Sequence, residues 1–131
     1  MPNSNLQKKL RILGDQRIAL LYAPEGYLSI LGTLPESVDL QFTIEGVLDL
    51  DIVHAFYTQL SKLQSDASDL VKSFREDGIL WISYPKLSAK TDSDLNRDII
   101  WQEMLGFGVN AVAQISIDDV WSAIRFKHDR T

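Results

Sequence analysis

Ile79-Leu80-Trp81-Ile82-Ser83-Tyr84-Pro85-Lys86 is the stretch that decides the fold. Its first six residues, apolar apart from Ser83, predict a strand with no wet face, and such a strand needs cover on both sides. Pro85 has no N–H to give to a ladder and stops the strand. Behind it Lys86, Ser88, Lys90, Asp92, Asp94 and Arg97 follow in the order an α/β domain uses to build a ligand edge.

Working outward, Leu50 to Tyr57 is a second run of this kind, apolar except for Asp51 and His54, and predicts another central strand. Between the two, Leu60, Leu63, Leu70, Val71 and Phe74 predict a helix over Thr58 to Phe74. The polar Gln64, Ser65 and Asp66 predict a break in it, with Ser65 capping a second piece. Asp77-Gly78 predicts a turn into the Ile79 strand. Upstream, Ser4 to Leu13 places Leu6, Leu10 and Leu13 at helical spacing and stops at Gly14. Arg17 to Tyr22 predicts a short buried strand, and a helix follows between Pro24 and Gly32. Val38 to Ile44 alternates apolar and polar residues, as a strand with one wet face does near an edge. Only about six residues join it to the Leu50 strand, too few for a usual parallel crossover, so these two are expected to be antiparallel neighbours. Downstream, Thr91 and Asp94 predict a cap for a helix carrying Leu95, Ile99, Ile100 and Met104 and ending near Gly106 and Gly108. Val109 to Ile117 and Val120 to Lys127 flank Asp118-Asp119 as a closing hairpin.

The alternation predicts an α/β fold: a three-layer open mixed sheet, mostly parallel, with helices on both faces and a C-terminal antiparallel hairpin. Residues 1–131, 45% hydrophobic and 24% charged, are expected to form a single domain. There is no cysteine, which removes disulfides, thiolate nucleophiles and cysteine-ligated zinc and suits a reducing cytoplasm. With two histidines and no ligand spacing, no metal site is expected. The start from Met1 to Lys9 is polar and no membrane span is visible, so the expectation is a soluble, cytoplasmic protein. Eighteen acidic against 13 basic residues, a net charge of −5, argue against nucleic acid or anionic membrane as a partner.

The segment from Asp77-Gly78 through Trp81, Tyr84-Pro85-Lys86 and Asp94-Arg97-Asp98 to the hairpin at Ile117-Asp118-Asp119-Val120-Trp121-Ser122-Ala123-Ile124-Arg125 resembles an uncharacterised family of small bacterial domains. The shared pattern is a Gly-x-x-Trp strand, a Pro-Lys stop and a closing hairpin carrying tryptophan and arginine, with Ala23-Pro24-Glu25-Gly26 as an early loop. The resemblance implies membership and no reaction. The order of elements also resembles the C-terminal half of class I methyltransferases, a likeness of fold only. Methyltransferases of that class place a glycine-rich cofactor loop after the first strand. Here Tyr22-Ala23-Pro24-Glu25-Gly26 has one glycine and a proline, so no cofactor of that kind is expected. There is no dinucleotide fingerprint or P-loop, and Gly106-Phe107-Gly108 reads as a helix end.

If the strands ending at Tyr22, Tyr57, Tyr84 and Ile117 run parallel, the loops after them share one edge. That edge would carry Glu25, Thr58, Lys86, Ser88, Lys90, Asp118 and Asp119, with Arg97 reaching it from the next helix. Lys86 and Lys90, with free amides near Thr91 to Asp94, suit a phosphate or carboxylate; the same loop also reads as ordinary solvated chain. Asp118 and Asp119 read either as paired carboxylates or, more commonly, as turn residues. His54 reads as a satisfied core histidine, and Trp81, Trp101 and Trp121 as core aromatics or as pocket walls. Arg97, early in a helix, calls for an anionic partner: Asp94, Glu25, Asp118, Asp119 or a bound anion. Two functions follow. One is a non-catalytic module binding a small anion or a protein partner; the other is a small enzyme, a divergent transferase, using Glu25, Asp118 or Asp119 with Lys86. A homodimer is expected to form through the Val38–Ile44 strand or the C-terminal hairpin.

Overall fold

The computed structural model describes residues 1–129. In chain order the elements are α1 (Ser4–Lys9), β1 (Arg17–Leu21), α2 (Tyr27–Leu31), β2 (Asp39–Gln41), β3 (Leu50–Phe56), α3 (Leu60–Ser73), β4 (Phe74–Pro85), α4 (Arg97–Leu105), β5 (Val109–Ser116) and β6 (Trp121–His128). A short 3₁₀ turn, Leu87–Ala89, follows β4. The strands form one six-stranded sheet in the order β2-β1-β3-β4-β6-β5. The first four are parallel; β6 is antiparallel to β4, and β5 to β6. The expected α/β architecture, mostly parallel with a C-terminal antiparallel pair, is therefore the observed one.

The pleat sorts β4 between two cores. Leu80, Ile82 and Tyr84 pack with Leu63, Leu70, Ile100 and Met104 of α3 and α4. Trp81 and Ile79 face the layer of α1 and α2, with Leu6, Leu10, Tyr27 and Leu31. The Trp81 indole N–H donates to the Leu10 carbonyl at 3.0 Å, which satisfies the buried donor and fixes α1 on the sheet. Among the described residues no helix is long and apolar enough to cross a membrane.

Several sequence expectations are corrected. The first helix ends at Lys9, because Arg11 turns the chain at φ 63°; Leu13 is outside it and exposed, and Gly14 is not its cap. The Val38–Ile44 strand contracts to Asp39–Gln41 and pairs parallel with β1, so it is not a neighbour of β3. Residues 42–49 return the chain to the start of β3 without a helix, packing Ile44 and Val47 onto the core. α3 is continuous: Gln64 and Ser65 are exposed on its solvent side, and Ser65 caps nothing. Asp77-Gly78 makes no turn but lies inside β4, where the bare Cα of Gly78 passes the carbonyls of Leu50 and Asp51. Thr91 and Asp94 do not cap α4. Asn96 does, accepting from the Ile99 N–H, while the Asp94 carboxylate caps α3 by accepting from the Leu60 N–H at 2.7 Å.

Candidate functional site

The parallel sense of β1, β2, β3 and β4, shared by β5, brings the loops after them to one edge of the sheet. At its centre Pro85 ends β4, and the next backbone N–H, that of Lys86, donates to the Val120 carbonyl at 2.7 Å. The Lys86 ammonium donates at 2.6 Å to the Ser116 hydroxyl and at 2.6 Å to the Asp118 carbonyl. The end of β4 is thereby held against the β5–β6 turn.

Beside this junction, between the start of α4 and the hairpin, lies an open cleft of about 610 Å³ lined by Tyr84, Lys86, Ser88, Asn96, Arg97, Asp98 and Gln114, among others. The Tyr84 hydroxyl accepts from the Gln114 side-chain amide at 2.8 Å. Burial raises the Tyr84 pKa, and the Arg97 guanidinium nearby acts in the opposite direction. Arg97 opens α4, is exposed, and makes no hydrogen bond or ion pair among the described residues. The internal salt bridge expected for it is absent there, because Asp94 is engaged with α3 and Asp118 with its own turn.

Of the eight residues singled out from sequence, the cleft brings together Lys86, Ser88 and Arg97, while the Thr58 carbonyl accepts from the Ser93 hydroxyl and the Asp94 N–H outside it. Glu25 lines a different hollow, of about 440 Å³, with Tyr22, Pro24, Leu28 and Phe42. The Asp118 carboxylate accepts from the backbone N–H groups of Val120 and Trp121, at 2.9 and 2.8 Å, which is turn chemistry. Asp119 is exposed at the hairpin tip, and Lys90, in a left-handed conformation, closes the 3₁₀ turn; neither lines the cleft. Asn96, Gln114 and Ser122 were missed. Asn96 carried a legible signal, a capping residue three positions before Ile99; Gln114 showed only as one of several polar residues in its strand.

On the β1 side of the edge, Tyr22 leaves the strand at φ 59°, a costly conformation for a bulky residue. Its ring meets Tyr57 edge-on at 5.6 Å, and the Lys62 ammonium lies 4.8 Å above it. The Tyr57 hydroxyl donates to Asp66 at 2.7 Å, and burial first, then that bond, raises its pKa far above the usual range. Deeper, His54 is buried against Tyr27 and Phe56 and shares a 2.6 Å hydrogen bond with the Ser83 hydroxyl; burial pushes its pKa down to about 3. It is a neutral core histidine. Trp81 is core and Trp121 partly so, but Trp101 is 42% exposed.

No family model and no curated protein matches the chain. Solved structures do. The chain is similar to a ribosomal-protein methylase from Lactobacillus delbrueckii subsp. bulgaricus, with a TM-score of 0.62 and 14% identity over 97% of this chain and 76% of that one. A TehB-like SAM-dependent methyltransferase from Corynebacterium glutamicum gives a TM-score of 0.64 and 10% identity over 96% and 86%. The fold is methyltransferase-like. Aeropyrum pernix fibrillarin, solved with natively bound S-adenosyl-L-methionine, adds a TM-score of 0.59 and 12% identity over 95% and 74%. Identities this low establish the fold alone. The methyltransferase-like fold extends over more than the C-terminal half expected from sequence, since most of each neighbour is covered.

Proposed function

We propose that the protein is a non-catalytic binding module on a methyltransferase-like fold, holding a small anion in the cleft between Lys86, Ser88 and Arg97. The observation that carries this reading is the Arg97 guanidinium, which lines the cleft with no hydrogen bond or ion pair among the described residues. An arginine in the first helical turn opposes the helix dipole, and an anion there satisfies both. Lys86 has two of its three donors engaged, which leaves one for a ligand and fixes its position. Asp98 also lines the cleft, so a fitting anion directs its charge toward Lys86 and Arg97.

Methyl transfer is not part of the proposal. Adenosylmethionine, named for two of the neighbours, requires close backbone approach at the end of the first strand. Here Tyr22 occupies that position with its ring against Tyr57, and Pro24 offers no N–H, so these residues do not fit the cofactor. Nor do the carboxylates converge for acid/base work, with Glu25 in another hollow and Asp118 engaged with its own turn. Membership of the family of small bacterial domains, on Gly78-x-x-Trp81, Pro85-Lys86 and Trp121 with Arg125, belongs to the same reading. So does a cytoplasmic location, which the lack of cysteine suits.

The test is a thermal-shift titration with inorganic phosphate, nucleotides, phosphorylated metabolites and adenosylmethionine. We expect stabilisation by phosphate-bearing compounds that disappears in Arg97→Ala. Stabilisation by adenosylmethionine alone, or an unchanged response in Arg97→Ala, overturns the assignment.

A further inference from the structure

The two edges of the sheet are unequal. β2 ends one side after three residues, short enough to offer little to a passing strand. β5 ends the other with eight, Val109-Asn110-Ala111-Val112-Ala113-Gln114-Ile115-Ser116, and its outer side faces no further strand among the described residues. In a chain that is 24% charged, none of these eight residues carries a charge, and no lysine or proline guards the edge.

Exposed apolar side chains accompany the strand on its α4 side. α4 packs against β5 with Trp101, at the middle of the helix, 42% exposed and Leu105 40% exposed on the same stripe. Trp101 lines a groove of about 260 Å³ together with Ala111 and Ile124 and with the charged Arg97 and Asp98. Val112, at the middle of β5, is 41% exposed.

We infer that the β5 edge pairs with the β5 edge of a second copy of this chain, antiparallel about a dyad at Val112, to extend the sheet across a homodimer. The register shift on the β6 side, where Ala111 pairs with Phe126 and Ala113 with Arg125, makes Val112 the extra residue of a bulge. A bulge usually discourages edge pairing. A dyad on the bulge removes that objection: residues 109–111 of each copy then oppose 113–115 of the other, and the irregular residue faces only its own copy. The dyad also brings each copy's Trp101 toward the other's groove, so that knob and hole are mutually filled. Two chains of net charge −5 repel at long range, and an uncharged strand is the surface on which they can meet without like charges opposite one another. The groove shares Arg97 and Asp98 with the anion cleft, but strand pairing about Val112 requires no bound anion.

Sedimentation velocity from low-micromolar to near-millimolar chain tests it, with circular dichroism and thermal melts confirming that each variant is folded. We expect a reversible dimer in the wild type, weakened at least about tenfold by Val112→Lys, which sets two lysines face to face. Trp101→Glu is expected to act in the same direction, and Phe42→Lys, beside β2, to leave the dimer unchanged. A wild type that stays monomeric throughout overturns the inference, as does a dimer that survives Val112→Lys or is lost with Phe42→Lys. A monomer that instead takes up an unrelated peptide strand at this edge overturns it as well.

Discussion

The Lys86 ammonium and the Asp118 carbonyl, 2.6 Å apart, join the end of β4 to the β5–β6 turn, whereas Arg97 across the same cleft is bound to nothing among the described residues. The two cations therefore have separable roles. Lys86→Met removes the ammonium bonds to the Asp118 carbonyl and the Ser116 hydroxyl and is expected to lower stability by about 0.5–1.5 kcal/mol. Arg97→Ala is expected to stay within about 0.5 kcal/mol of the wild type, as an exposed group with no hydrogen bond or ion pair among the described residues should. Urea unfolding midpoints at equal m-value distinguish the two.

His54 makes stability depend on acidity. Its folded pKa is lowered by burial to about 3, against an ordinary value of 6.5, so the unfolded chain takes up a proton that the folded chain refuses. The contribution is complete above the unfolded value and is lost as pH falls toward the folded one. Stability is expected to decline through that window by up to about 1.4 kcal/mol per pH unit, in addition to any change from carboxylates. Urea denaturation at a series of pH values should show this slope, and His54→Gln should flatten it.

The Tyr27 hydroxyl is buried with no hydrogen-bond partner among the described residues, and desolvation, reinforced by Asp118, raises its pKa well above the usual range. Removing an unsatisfied buried polar atom relieves a desolvation cost. Tyr27→Phe is expected to be neutral or to stabilise by about 1 kcal/mol, read as an unchanged or higher melting temperature.

Gly78 lies in β4 with an ordinary negative-side backbone, so its constraint is spatial. A Cβ there would approach the Asp51 carbonyl oxygen to 2.9 Å and the Leu50 carbonyl oxygen to 3.0 Å. Gly78→Ala is expected to cost about 1–3 kcal/mol by forcing β3 and β4 apart. An equal effect from Gly46→Ala, where nothing lies within 4 Å but φ is +68°, would show that backbone conformation rather than contact dominates such losses.

The central strands were legible because two-sided burial writes an uninterrupted apolar run, as in Leu50 to Tyr57 and Ile79 to Tyr84. What failed were features set by partners distant in sequence. Asp94 looks like the cap of the helix that follows it but caps α3, from 34 residues away. Gly78 looks like a turn glycine, yet its size is required by a neighbouring strand. The Val38–Ile44 alternation was genuine, but only three of its residues pair, and their partner is β1, which no local pattern could indicate. For the site, topology correctly gathered the loops at one edge. Which side chains share the cleft depends on where α4 begins, and Asn96 rather than Thr91 sets that.

The bond from the Trp81 indole to the Leu10 carbonyl spans 71 residues of chain and also has a consequence in time. During synthesis α1 precedes β4, so the Leu10 carbonyl lacks this donor until β4 has left the ribosome and entered the sheet. Leu6 and Leu10 have Ile18, Leu20, Tyr27 and Leu31 to pack with before then, and the layer of α1 and α2 is sealed on its Trp81 side only once β4 is in place.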